Sequence, residues 1–266
     1  MALNPKLNPW VDKRIWLIGA STGIGEALAE EFDRYGARCM ISARSQDKLE
    51  QLAKKLRKTI AYAVDITQPN TLENAFSELI QQWGGVDLIV IMAGTYSEMA
   101  VKDFDLDKMK HQIEVNLIGT MNVLNQVLPR LLKQQSGHLC LVSSVAGFRG
   151  LPNSIAYGPS KAALINLAEG LYLELKPFNI GVSVVTPGFV DTPLTQKNTF
   201  PMPCIISAKK AAQHILAGLS RGQFEIHFPK KFTLALKLLS ILPYRLYFSA
   251  VQRFTSKMAE SKHDAH

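Results

Sequence analysis

The sequence predicts an α/β fold: a doubly wound parallel sheet of about seven strands with helices on both faces, carrying a helical extension at the C-terminus. Short apolar runs rich in Val and Ile alternate with segments of helical periodicity along most of the chain. The first of these runs passes through a glycine-rich turn straight into the helical pattern EALAEEFDRYG. No internal repeat or low-complexity linker interrupts the 266 residues, 47% of them hydrophobic, which is ample for one sizeable core. Residues 1–266 are expected as one domain, with 229–266 as its basic, amphipathic extension.

Strands are expected at 14–18, 38–42, 60–64, 87–92, 138–143, 181–186 and 224–228. Several are short and apolar throughout, as strands covered on both faces tend to be. Helical patterns fill the gaps at 24–35, 46–56, 71–83, 105–132, 155–175 and 208–219. Such alternation places the strands in one parallel sheet, because parallel neighbours need a crossover and a helix supplies it. Pro159 falls early in the 155–175 pattern. In a first turn its missing N–H is no loss, so regular helix is expected to begin close to Tyr157.

The turn after the first strand reads Gly19-Ala20-Ser21-Thr22-Gly23-Ile24-Gly25. Glycines there permit positive φ and close backbone approach to a pyrophosphate, while the following helix N-terminus offers unpaired N–H groups and a partial positive charge. Strand before and helix after are the context this motif requires. Further on, Ser144 closes the apolar run HLCLVSS, and Tyr157 and Lys161 stand at i and i+4 of a helical pattern. Residues so spaced share one helix face and can address the same small volume. A phenol with a pKa of about 10 exchanges protons poorly near neutrality. An adjacent ammonium favours the phenolate and is expected to lower that pKa.

Together, the Gly-x-x-x-Gly-x-Gly turn and the ordered Ser144, Tyr157 and Lys161 resemble the short-chain dehydrogenase/reductase family, over about residues 13–228. The resemblance implies a Rossmann-like fold and hydride transfer between NAD(P) and a carbonyl or alcohol carbon. Tyr157 would act as acid in reduction and base in oxidation, Lys161 would lower its pKa and hold the nicotinamide ribose, Ser144 would steady the substrate oxygen, and Asn116 would complete a proton relay. Ser143 is the alternative to Ser144. Cofactor contacts are implied for Gly19, Ser21, Thr22, Gly23, Ile24 and Gly25, for Asp65 and Ile66, for Ala93 and Gly94, for Tyr157 and Lys161, and for Pro187, Gly188, Val190 and Thr192. Asp65 has a competing account as a plain turn cap.

Arg44 ends the second strand where an acidic residue would accept hydrogen bonds from the ribose of NAD. A guanidinium there suits a 2′-phosphate, so the resemblance implies NADP, with NADPH preferred over NADH. Thr22 stands where some NADP-preferring members carry a second basic group, which makes a single-cation clamp the expectation. Ile91-Met92-Ala93-Gly94 departs from the family's Asn-Asn-Ala-Gly and leaves open how that strand end is pinned. No metal site is implied. A homodimer or homotetramer acting on a small-molecule carbonyl or alcohol is the family expectation, and a catalytically silent NADP-binding sensor or scaffold is the alternative.

Composition bounds the rest. Cys39, Cys140 and Cys204 form no CxxC pair and are expected as reduced thiols. The start MALNPKLNPWVDK has no apolar secretory stretch, so a cytoplasmic location is the default expectation. Lys and Arg number 30 against 22 Asp and Glu, a formal +8. Much of that excess lies past Phe228, where Lys230, Lys231, Lys237, Arg245, Arg253, Lys257 and Lys262 face Glu260 and Asp264. The tail is also apolar and aromatic, unlike a groove that tracks nucleic-acid phosphates, so no nucleic acid is expected. Pro243 divides it into two helical pieces; in the second, Tyr247, Val251, Phe254 and Met258 recur at helical spacing opposite Arg245, Ser249, Gln252 and Arg253. Charges and the proline exclude a transmembrane helix. Three readings stay open: a helix on an anionic membrane surface, a cap on the active-site cleft, or a packing face for a sister subunit. All three suit an apolar or lipid-like substrate.

Overall fold

The computed structural model describes residues 2–198 and 200–263, the side chains of 197 and 255–263 apart. The first half runs β1 (Arg14–Ile18), α1 (Gly23–Arg34), β2 (Arg38–Ala43), α2 (Gln46–Ala53), β3 (Thr59–Ala63), α3 (Pro69–Trp83), β4 (Leu88–Ile91), α4 (Leu106–Ile113), α5 (Gly119–Gln134) and β5 (Gly137–Val142). It continues with α6 (Tyr157–Leu175), β6 (Ile180–Pro187), β7 (Val190–Asp191), β8 (Ile206–Ser207), α7 (Ala208–Ser220), β9 (Glu225–Phe228), α8 (Lys230–Ser240) and α9 (Tyr244–His263). Seven strands form one sheet in the order β3-β2-β1-β4-β5-β6-β9, every pairing parallel. The expected strands and helices are all present, with bounds that move by a few residues. The short β7–β8 pair was not expected and closes a separate two-stranded ribbon.

The two faces of the sheet bury alternate residues of each strand, as the period of 2 requires. Trp16, Ile18, Met40, Ile89 and Leu141 pack with Phe76 of α3, Val127 of α5 and Leu164 of α6. Ile15, Leu17, Cys39, Ile41 and Val90 pack on the opposite side with Phe32 of α1 and Ile215 of α7. A slip of one residue in any pairing would exchange the two sets, so burial on both sides fixes the register. The Trp16 indole N–H donates to the Ser42 hydroxyl at 3.0 Å, so this buried donor is satisfied.

The expected helix 105–132 is present over 106–134, with an irregularity inside it. It is divided into α4 and α5 by a wide π-type turn, Glu114–Ile118. Asn116 sits inside that turn, fully buried, with its amide turned to the neighbouring loop and helix. Single π-type turns of this kind mark functional positions in helices.

Pro243 does separate two helices, α8 and α9. Tyr247 and Val251 are buried as the stripe predicts, but Phe254 is 56% exposed. The side chains of Lys257, Met258 and Lys262 lie outside the described residues. Arg149, in the connection after β5, holds the two helices: its Nη1 donates to the Ser240 carbonyl at 2.8 Å and the Leu242 carbonyl at 2.6 Å. Its guanidinium lies 4.6 Å from the Tyr244 ring centre and 4.2 Å from that of Tyr247. Among the described residues no helix is long and apolar enough to cross a membrane.

Candidate active site

The strand order reverses between β1 and β4, and the crevice at their carboxyl ends is where a doubly wound sheet takes a ligand. Backbone closeness builds it. Gly19 has φ +100°, and a Cβ on it would lie 2.5 Å from the Ala93 nitrogen. A Cβ on Gly25 would lie 2.1 Å from the Gly19 carbonyl oxygen. Neither position accepts a side chain. Helix α1 follows at once, and its N-cap Thr22 makes no side-chain cap, leaving the first N–H groups open to the crevice.

The resulting cleft has a volume of about 600 Å³. It brings together Gly19, Ser21, Thr22, Gly23, Ile24 and Gly25 with Arg44, Asp65, Ile66, Ala93, Gly94, Tyr157, Lys161, Pro187 and Thr192. Asn116, Ser144, Gly188 and Val190 do not line it. The Val190 side chain is buried in the core, and Gly188 sits against Phe232 and Pro229.

At one end, Arg44 is joined by Ser45 and Lys48. Lys48, in the first turn of α2, lines the same cleft, a second cation beside Arg44 that the sequence reading did not single out. The signal was its spacing of four from Arg44, obscured because Arg44 precedes the helix. Asp65 does cap a turn, accepting from the Thr67 nitrogen at 2.9 Å and the Thr67 hydroxyl at 2.7 Å, both at Oδ1. Burial opposes its ionisation, yet those bonds, with the charges of Arg44 and His111, hold the carboxyl below its ordinary value. His111 of α4 also lines the cleft, and sequence reasoning missed it.

At the other end stand the proposed proton-handling groups. Helix α6 begins at Tyr157, with Pro159 in its first turn. The Lys161 ammonium donates to the Val142 carbonyl at 3.0 Å and lies 5.6 Å from the Tyr157 ring centre. Burial pushes its pKa down to about 8. Burial pushes the Tyr157 phenol up to about 12, with the Ser144 hydroxyl pulling the other way. Desolvation of the phenolate is the larger of these two effects. Tyr96, which no spacing marked, packs edge-on against Tyr157 with ring centres 4.9 Å apart.

The two serines differ in their bonds, and of the two it is Ser143 that lines the cleft. Ser143 donates to the Lys161 carbonyl at 2.6 Å and is buried. The Ser144 hydroxyl accepts from the Ala146 nitrogen at 3.2 Å and hydrogen-bonds with the Tyr157 phenol. Asn116 holds the loop that follows β4. Its Oδ1 accepts from the Thr95 nitrogen at 2.8 Å, and its Nδ2 donates to the Thr95 carbonyl at 3.0 Å and the Ser160 hydroxyl at 3.0 Å. One amide thus ties the loop after β4 to the residue preceding Lys161. Gly94 lies under it, where a Cβ would be 3.1 Å from Asn116 Oδ1.

A dinucleotide fits this cleft. The glycine contacts leave the backbone free to approach a pyrophosphate, and the uncapped α1 N-terminus supplies donors for it. The model of the short chain dehydrogenase family matches residues 13–201. The chain belongs to that family, whose members bind NAD(P) and act on small molecules. It is an oxidoreductase of the short-chain dehydrogenase/reductase type. An uncharacterized oxidoreductase of Myxococcus xanthus (strain DK1622) is 33% identical over 239 residues, covering 88% of this chain and 94% of its own. Another, from Staphylococcus epidermidis, is 31% identical over 204 residues, 76% of this chain and 89% of its own. The crystal structure of gox2181 shares the fold, with a TM-score of 0.74 at 22% identity over 82% of this chain and 95% of that one.

Proposed function

We propose that the chain interconverts a carbonyl and a primary or secondary alcohol with NADP(H), NADPH being preferred over NADH, on an apolar substrate. The observation that carries the reading is the layout of one cleft: Arg44 and Lys48 at one end, Tyr157 and Lys161 at the other, and the glycine turn between them. When bound, NADPH would supply the hydride for reduction and NADP would accept it in oxidation. Arg44 and Lys48 meet its 2′-phosphate, paired donors and a point charge on one dianion. Gly19 to Gly25 hold the pyrophosphate, and Asp65, Ile66, Ala93, Gly94, Pro187, Gly188, Val190 and Thr192 frame the rest, Val190 through its backbone.

Tyr157 gives its phenolic proton to the carbonyl oxygen in reduction and takes it back in oxidation. Ser144 steadies that oxygen, and Lys161 holds the nicotinamide ribose and the phenolate. Asn116 fixes the loop and helix that carry the relay. A buried phenol at about 12 stays protonated at neutral pH, the state that reduction needs. The apolar substrate class is supported by the rings beside Gly188: Phe189 lies 5.9 Å from Phe200 and 5.6 Å from Phe232 of α8, centre to centre.

Residues 1–266 read as one unit with 229–266 as its extension. Exposed Met121 and Leu132 on α5 and Leu173 on α6 offer apolar surface for a homodimer or homotetramer. Buried thiols at Cys39 and Cys140 suit a reducing, cytoplasmic compartment. Tyr157→Phe tests the assignment: turnover of ketones and aldehydes with NADPH should vanish while NADPH affinity stays near wild type. Wild-type turnover in that variant would overturn the reading, and tighter binding of NADH than NADPH would overturn the role of Arg44. A silent sensor is the reading left if no carbonyl in a graded series is turned over while NADPH binds.

A further inference from the structure

We propose that the corner between α8 and α9 is a docking face for an anionic lipid bilayer, seating the carboxyl edge of the sheet against the membrane. Five large apolar side chains meet there and face outward. Leu234, Leu238 and Ile241 follow one another at spacings of four and three along α8, and Ile241 is 76% exposed. Tyr244 and Phe248 continue the surface onto α9, their rings stacked 5.6 Å apart. A monomeric protein surface rarely gathers so many adjoining apolar groups without a partner.

The face is built, not a loose end. Arg149 clamps the helix junction from beneath through two carbonyls and two rings. Tyr247 donates its hydroxyl to the Gly150 carbonyl at 2.7 Å, and the buried Thr233 hydroxyl pairs with the His227 ring at 2.6 Å. The inward groups are fixed, so the outward ones are held outward.

Charge selects the occupant. Lys231 and Arg245 are exposed and form no ion pair among the described residues, whereas Lys237 is paired with Glu225. Two copies of this face brought together would oppose cation to cation. An anionic bilayer receives the apolar side chains and the cations at the same time, the combination that holds interfacial helices. The proline corner and the absence of a spanning helix among the described residues place the pair on the surface, not through it. Helix α8 also leaves the carboxyl end of β9, beside Pro187 and the Phe189–Phe232 contact, so the docked face adjoins the cleft.

The test is co-sedimentation of the full chain with vesicles of phosphatidylcholine alone and vesicles enriched in phosphatidylglycerol. The wild type should pellet with the anionic vesicles, not the neutral ones, and should be released by added salt. Ile241→Asp should remove nearly all binding. Arg245→Gln should weaken it about fivefold, the equivalent of about 1 kcal/mol per cation at an anionic surface. Both variants change exposed side chains only, and unaltered urea unfolding and NADPH affinity would verify that they are folded. Sedimentation needs no turnover, so its outcome is independent of the oxidoreductase reading. Failure of the wild type to pellet, or equal pelleting on both vesicle types, would overturn the proposal. So would a wild-type assembly, seen by sedimentation velocity, that Ile241→Asp dissolves while vesicles bind neither protein, which would assign the face to a second copy.

Discussion

The glycine turn and the C-terminal helix pair border the same edge of the sheet but are built by opposite means. In the turn, backbone meets backbone: a Cβ on Gly25 would stand 2.1 Å from the Gly19 carbonyl and one on Gly19 2.5 Å from the Ala93 nitrogen. In the helix pair, one side chain, Arg149, reaches across to hold the junction, and the outer face is left to Leu238, Ile241 and Tyr244. Fixed N–H groups can recognise a pyrophosphate only if they are immobile, so that region tolerates no added atom. A face that meets a fluid surface needs area and charge, and its side chains are exchangeable. The contrast predicts a large asymmetry. Gly25→Ala should destabilise the chain by about 3 kcal/mol or more, since overpacking against backbone has no rotamer to escape into. Leu238→Ala, on an exposed site, should change stability by no more than about 0.5 kcal/mol. Urea unfolding of the two variants measures the gap, and similar midpoints would break the comparison.

Arg149→Ala gives the intermediate effect and asks whether the two regions are coupled. It removes two charge-assisted bonds to carbonyls and two ring contacts, together about 2 kcal/mol for a half-buried guanidinium. The loss should be local. Limited proteolysis should cut between α8 and α9 sooner, while NADPH affinity changes less than twofold. A parallel fall in NADPH affinity would show that the helix pair supports the cradle, and the two regions would then be one.

What the sequence disclosed divides along similar lines. The glycine turn and the Tyr157–Lys161 pair are local patterns, and the residues that make them are close in the chain, so their spacing is their geometry. The clamp of Arg149 joins residues 91 and 93 positions apart, and no periodicity carries that. The same is true of Asn116, whose amide reaches Thr95 and Ser160. Its wide turn adds too little to the helical repeat to show in the pattern 105–132. The stripe of α9 was legible as a face, but periodicity does not say how far that face is covered: Val251 is buried and Phe254 is not. The closeness of Tyr157 to Lys161 can be read from spacing, whereas the desolvation that raises the phenol depends on everything else that surrounds the ring.

Desolvation also separates the two regions in their response to pH. Lys161 is 5% exposed and its pKa is pushed down to about 8, whereas Arg245 stands in solvent. The kcat/KM for NADPH, which reports the free chain, should be level up to about pH 8 and then fall about tenfold per unit as the ammonium is lost, Tyr157 still being protonated. Lys161→Arg should be slower at every pH and lack that fall. Folding lowers the Lys161 pKa from 10.5 to about 8, so the unfolded chain binds more protons between those values. The penalty for burying the ammonium is therefore full below about 8 and fades as pH rises through that window, so unfolding midpoints should not drop there on account of Lys161. Binding to anionic vesicles should stay level over the same range. A kcat/KM profile and a vesicle-binding profile that fall together above pH 8 would place one titrating group behind both and erase the distinction between a buried charge that does chemistry and exposed charges that attract a surface.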